Sequence, residues 1–164
     1  ATPGGLAAGP PEIATLLKRL GAEQRTVAWS DFMVASAGYY MAAACGEIYT
    51  KPTATVGSIG CMLTIVDDRE YYEKQGIRFE HFSSAEGKLR GREGLSLSES
   101  DRKHFQESVD RAGASFRKFV EENRPLVTEE AFTGDHGDAK DFGLTNGLVD
   151  DTRLNFIELL TDLV

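Results

Sequence analysis

Acyl transfer from a peptide to water needs a nucleophile, a base within hydrogen-bond reach of it, and N–H donors aimed at the oxyanion that forms. The sequence offers one candidate for each. Ser36 lies where the chain reads as loop passing into helix, a junction that exposes the side chain and favours negative charge beside the helix start. The same position suits a helix N-cap, the commoner role of a serine there. Lys88 sits in the polar, glycine-bearing loop 83–94. It can accept a proton only as the neutral amine, a form that burial away from water favours. A lysine in such a loop equally reads as a solvated surface charge. Thr2-Pro3-Gly4-Gly5 can bring backbone N–H groups close to a substrate, because glycine has no Cβ to block the approach. It also reads as an ordinary turn between a strand and a helix.

Histidine is the commonest general base, so the three histidines compete with Lys88. His81 falls in an alternating strand pattern, His104 on the charged face of a long helix and His136 in the polar run Gly134-Asp135-His136-Gly137-Asp138. All three read as surface or core-edge residues, with a Ser36–His81 dyad as the conceivable exception. His136 with Asp135 and Asp138 is one local cluster without distant ligands, which is a weak metal signal. Cys45 and Cys61 show no metal-binding spacing and read as small buried hydrophobes.

The elements that must hold these residues alternate. Pro10 and Pro11 fit a first helical turn, and Ile13, Leu16, Leu17 and Leu20 predict an amphipathic helix ending at Gly21. A brief strand over 26–29 precedes Ser36, and the small-residue segment 37–45 predicts a buried helix. Strands are predicted at 47–49, 61–66 and 77–82, with a helix from Asp67-Asp68 to Gly76 between the last two. Steps of three and four residues from Phe105 to Val120 predict a long helix over 98–125. Short helices near 128–131 and 135–142, a strand at 148–149 and a helix over 153–163 complete the chain. Alternating strands and helices predict an α/β class.

With 164 residues the chain is the size of one domain, so a single domain spanning 1–164 is expected. Its 26 acidic residues against 18 basic ones argue against a phosphate-binding face and hence against nucleic acid as partner. The most apolar stretch, 33–45, is too short to span a bilayer. The opening Ala-Thr-Pro-Gly-Gly is a turn that would follow a strand, so residues preceding Ala1 are expected.

Three segments together carry a family resemblance: Thr2-Pro3-Gly4-Gly5, then Val34-Ala35-Ser36-Ala37-Gly38-Tyr39-Tyr40, then Thr55-Val56-Gly57-Ser58-Ile59-Gly60. The chain resembles the signal peptide peptidase A family and the related phage capsid-maturation proteases. The late runs Phe132-Thr133-Gly134 and Gly147-Leu148-Val149-Asp150 extend the likeness. The resemblance implies a Clp/crotonase-like spiral of short strands with outer helices, whose N-terminal strands are missing here. It implies Ser36 as nucleophile, Lys88 as base, Ser58 as the hydroxyl that orients the lysine amine, and the N–H groups of Gly5 and Ala37 as the oxyanion hole. The implied activity is peptide hydrolysis with no metal or organic cofactor, acting on signal-peptide remnants, capsid proteins or other protein substrates as a homo-oligomer. Membrane association would come only through a segment absent from this chain; otherwise a cytoplasmic location is expected. A non-catalytic, ring-forming module of the same fold is the alternative from another class. The related Clp proteolytic subunit uses a serine-histidine-aspartate triad on a similar fold, but no histidine lies between Ser36 and His81, which favours the lysine dyad.

Overall fold

A computed structural model of the chain describes residues 1–163. Its framework is two parallel strand pairings. β1 (Val27–Ser30) pairs with β3 (Glu47–Thr50), and β2 (Met33–Ala35) pairs with β4 (Thr55–Gly57). Parallel partners cannot be joined by a tight turn, so each pair needs a crossover, and α2 (Ala37–Ala42) lies within both. β5 (His136–Asp138) then adds antiparallel to β4, and β6 (Asp151–Thr152) adds parallel to β3. The result is two three-stranded sheets, ordered β1-β3-β6 and β2-β4-β5. Thr2 joins the free side of β2 through a single parallel bridge to Val34.

The chain divides into two compact units, one formed by Ala1–Cys61 together with the chain from Ala112 onward, the other by Met62–Arg111. The larger unit holds both sheets, α1 (Pro10–Glu23), α2, the second half of α4 (Glu99–Asn123) and α5 (Phe156–Leu163). Its core gathers Val34, Tyr39, Ala43, Ile48, Val56, Phe116, Val120 and Leu148. Run together as Ala42-Ala43-Ala44, small side chains let α2 bury without displacing its neighbours. Tyr39 is fully buried, and its hydroxyl donates to the Leu148 carbonyl at 2.8 Å, tying α2 to the distant C-terminal segment. Arg124, also buried, pairs with Asp150 at 2.9 Å, while the other oxygen of Asp150 accepts from the Ile48 N–H at 2.7 Å. Tyr40 stacks on Phe119 of α4 with ring centroids 4.1 Å apart.

The smaller unit contains α3 (Arg69–Lys74), a 3-10 turn at Glu86–Leu89 and the first half of α4. None of its described residues is buried. Polar contacts bind it instead: Gly94 N donates to Asp68 Oδ1 at 2.8 Å, and Arg90 pairs with Asp101 at 2.9 Å. Tyr72 meets Phe79 edge-on at 4.8 Å.

Several expected elements differ. The segments 61–66 and 77–82 are not strands, because neither finds a ladder partner among the described residues, and an alternating pattern without a neighbour gains no hydrogen bonds. The segment 135–142 is not a helix but β5 followed by a π-helical turn at Ala139–Gly143. Strand pairing near the C-terminus falls at Asp151–Thr152 rather than 148–149, where Leu148 N instead donates to the Gly143 carbonyl. α1 runs through Gly21 to Glu23, with Ala14 buried and Ile13, Leu16 and Leu20 exposed. Among the described residues no helix is long and apolar enough to cross a membrane.

Replacing Tyr39 by Phe leaves the Leu148 carbonyl without this donor in a dry interior, so a loss of about 1–2 kcal/mol in urea unfolding is expected, with an unchanged m-value. A second expectation concerns pH. Arg25 donates to both oxygens of Glu47 and, with the Tyr49 hydroxyl as a further donor, holds its carboxyl down from 4.5 to about 2. A depressed carboxyl stabilises the fold above its unfolded value and loses that contribution as pH falls through the folded value. Glu47→Gln should therefore lower the urea midpoint at pH 7 and converge with the unaltered protein as the pH approaches about 2.

Candidate active site

Ser36 and Ser58 are the two non-glycine residues with positive φ among those described, at 52° and 54°. An L-residue with a side chain avoids this region, at a penalty of about 1–3 kcal/mol, unless its surroundings enforce it. Strand register explains how the two come together. Ala35 lies opposite Gly57 in the β2–β4 ladder, and Ser36 N donates to the Gly57 carbonyl at 2.9 Å. The two serines are thus the first residues beyond adjacent strand ends. This is the carboxyl edge of a parallel pair, where open α/β sheets place their ligands. Both are half-buried.

Ser36 is followed directly by α2, and with φ 52° and ψ −127° it makes no side-chain capping bond. Ser36 is thus the N-cap residue of α2 by position, its carbonyl accepting from Tyr40 N at 3.0 Å, while its hydroxyl caps nothing. On the other side of β2, Thr2 N donates to the Met33 carbonyl at 2.8 Å and Ala35 N donates to Thr2 O at 3.1 Å. This bridge lays Gly4 against the nucleophile candidate. A Cβ on Gly4, whose φ is 110°, would lie 2.5 Å from Ser36 Cβ and 2.9 Å from Ser36 Oγ, so only glycine fits. Gly38 is required in the same way, since a Cβ there would overlap the Thr2 side chain. Among the described residues neither the Gly5 N–H nor the Ala37 N–H donates a hydrogen bond within the chain. Both flank the Ser36 turn in sequence or through the Thr2 bridge. Ser36 itself makes no side-chain cap bond and has Gly4 packed against it.

Lys88 lies in the 3-10 turn Glu86–Leu89 of the smaller unit, whereas Ser36, Ser58, Gly5 and Ala37 belong to the larger. It is exposed and borders an open cleft with His81, Ser83 and Arg92. His81 Nε2 is bonded to the Glu93 carbonyl at 2.9 Å, within the same unit. His104 is exposed on α4. His136 lies opposite Gly57 in the β4–β5 ladder, one residue from Ser58, a neighbourhood that its polar local sequence did not disclose. The Asp135 carbonyl accepts from Ser58 N at 2.7 Å. Among the described residues no group of three His, Cys, Asp or Glu is placed to hold a metal ion. Cys45 and Cys61 are free thiols, half-buried rather than buried as expected, and partial burial pushes both up.

Comparison with known proteins places this geometry in context. The model of peptidase family S49 matches residues 18–158. The chain is similar to the probable protease SohB of Haemophilus influenzae, with 30% identity over 138 residues, covering 82% of this chain and 39% of that protein. It is also similar to capsid assembly protease C of Escherichia phage lambda, with 29% identity over 156 residues, covering 92% of this chain and 36% of that protein. The chain therefore spans about two fifths of the length of these relatives. Among solved structures it resembles the 1510-N membrane-bound stomatin-specific protease with a TM-score of 0.59, at 15% identity, over 98% of this chain and 64% of that one. The fold is the α/β, Clp/crotonase-like one that the motifs implied.

The strain at Ser36 has a measurable consequence. Ser36→Gly relieves it, whereas Ser36→Ala removes the hydroxyl and keeps it. The glycine variant is expected to unfold at higher urea than the alanine variant, by about 1 kcal/mol after allowing for the extra freedom of an unfolded glycine. Equal or reversed midpoints would show that the turn is relaxed.

Proposed function

The chain belongs to peptidase family S49, and from that membership we propose that it is a serine endopeptidase in which Ser36 attacks the scissile carbonyl and Lys88 is the base. The observation that carries this reading is the pair of strained serines at adjacent strand ends beside the Gly4 approach. Lys88, as the neutral amine, takes the Ser36 proton while the Ser58 hydroxyl orients that amine. The N–H groups of Gly5 and Ala37 hold the tetrahedral oxyanion. Lys88 then returns the proton to the leaving amine, and water resolves the acyl-enzyme by the reverse path. No step in this scheme calls on a metal or an organic cofactor.

The scheme makes one demand on electrostatics. Lys88 is exposed in the free chain, so it must shed its water when substrate binds to serve as the base. We therefore take 1–164 to act as a single peptidase domain, with peptides or proteins as substrates and, by family likeness, as a homo-oligomer. The match to capsid assembly protease C over 92% of this chain favours a second reading of the substrate, a capsid protein trimmed by the same pair.

Purified Lys88→Ala should keep the unfolding midpoint of the unaltered protein and lose roughly a thousandfold or more in peptide cleavage, as when one member of a catalytic unit is removed. A fluorophosphonate should attach at Ser36 in the unaltered protein. Cleavage that survives Lys88→Ala removes the dyad. A folded protein that neither cleaves nor labels is a non-catalytic module instead.

A further inference from the structure

Ser58 cannot hold its own backbone in the left-handed region, and what holds it comes from the opposite side of β4. Ser58 N is fixed by the Asp135 carbonyl at 2.7 Å. Gly57, with φ 113°, is so closely covered that a Cβ there would lie 2.9 Å from that same carbonyl oxygen and 3.1 Å from Cε1 of Phe142. Across the ladder, Gly137 faces Val56, and a Cβ on Gly137 would lie 2.7 Å from Cγ of Phe142. One aromatic side chain thus fills the space left by a glycine on each of two adjacent strands, and it reaches from Gly137 to the residue that precedes Ser58.

Phe142 is itself firmly seated. It belongs to the π-helical turn Ala139–Gly143, a rare conformation that recurs at functional sites. Asp138 Oδ1 caps the start of that turn by accepting from Asp141 N at 2.8 Å. The Phe142 carbonyl accepts from both the N–H and the side-chain amide of Asn146, at 3.1 and 2.9 Å, and Asn146 is buried. Behind it, Gly143 packs so tightly that a Cβ would lie 2.8 Å from Val56 Cγ2. The turn cannot recede from β4 without opening the core.

We propose that Phe142 is a positioning residue for Ser58: seated over Gly57 and Gly137, it fixes the Gly57–Ser58 peptide and hence the direction of the Ser58 hydroxyl. It touches neither substrate nor nucleophile in this role and acts on the reaction only through Ser58. The inference rests on the peptidase reading, in which that hydroxyl orients the Lys88 amine.

The test is a double-mutant cycle on the full chain, with a quenched fluorescent peptide for turnover and fluorophosphonate labelling of Ser36 as a turnover-independent readout. Phe142→Leu is expected to lower kcat and the labelling rate about tenfold with KM within about twofold, because a misplaced group penalises the chemical step. Ser58→Ala should give a comparable or larger loss, and the double variant should be no slower than Ser58→Ala alone, since both changes act on one hydroxyl. Phe142→Tyr, which keeps the ring, should restore the rate. Where Phe142→Leu does not fold, the volume-conserving Phe142→Met carries the same cycle. Losses that multiply in the double variant, or a change confined to KM, overturn the proposal while leaving the peptidase intact. An unaltered protein that neither cleaves nor labels overturns the reading beneath it.

Discussion

The hydrogen bond from Ser36 N to the Gly57 carbonyl is the constraint on which the site depends. It is the last rung of the β2–β4 ladder, and it puts the residue after each strand next to the other. Side chains alternate along a strand, so a register shift of one residue would send Val34 and Val56 out of the core and separate the serines. The apolar core therefore selects the register, and the register selects the site. Position follows from burial here, without any direct bond between the two serine side chains being needed.

The strain at the two serines is the complement of that rigidity. Positive φ on a side-chain-bearing residue persists only where the surroundings over-determine it. At Ser36 the determinants are the β4 carbonyl on one side, the Thr2 bridge on the other and a buried helix that starts at once. At Ser58 they are the Asp135 carbonyl and the covered face of Gly57. In each case a glycine without room for a Cβ stands beside the strained serine, Gly4 for Ser36 and Gly57 for Ser58.

Much of the larger unit was legible from residue pattern. Proline at the start of α1, the small-residue run of α2, the β-rich Thr26 to Trp29 and the three-and-four spacing of α4 each report a local preference that tertiary structure keeps. β2 escaped notice because it has only three residues, too few for a period. β5 escaped notice because His136-Gly137-Asp138 is polar and carries no strand propensity; its pairing is imposed by β4. At 61–66 and 77–82 the alternation is good, but strand formation is a property of pairs and no partner strand is present among the described residues. Ser36 could be found from the junction it occupies, whereas the place of Ser58 followed only from family likeness, because nothing in Gly57-Ser58-Ile59 betrays its backbone angle. Nothing in the residues around Phe142 shows that its ring covers two glycines remote from one another in the chain.

That no described residue of Met62–Arg111 is buried has a thermal and dynamic corollary. A stretch lacking an interior has little apolar surface to re-expose, so its amides exchange with solvent through openings far smaller than global unfolding. Lys88 lies in that stretch and Ser36 outside it. Heating would open that stretch well before the cooperative melting of the core.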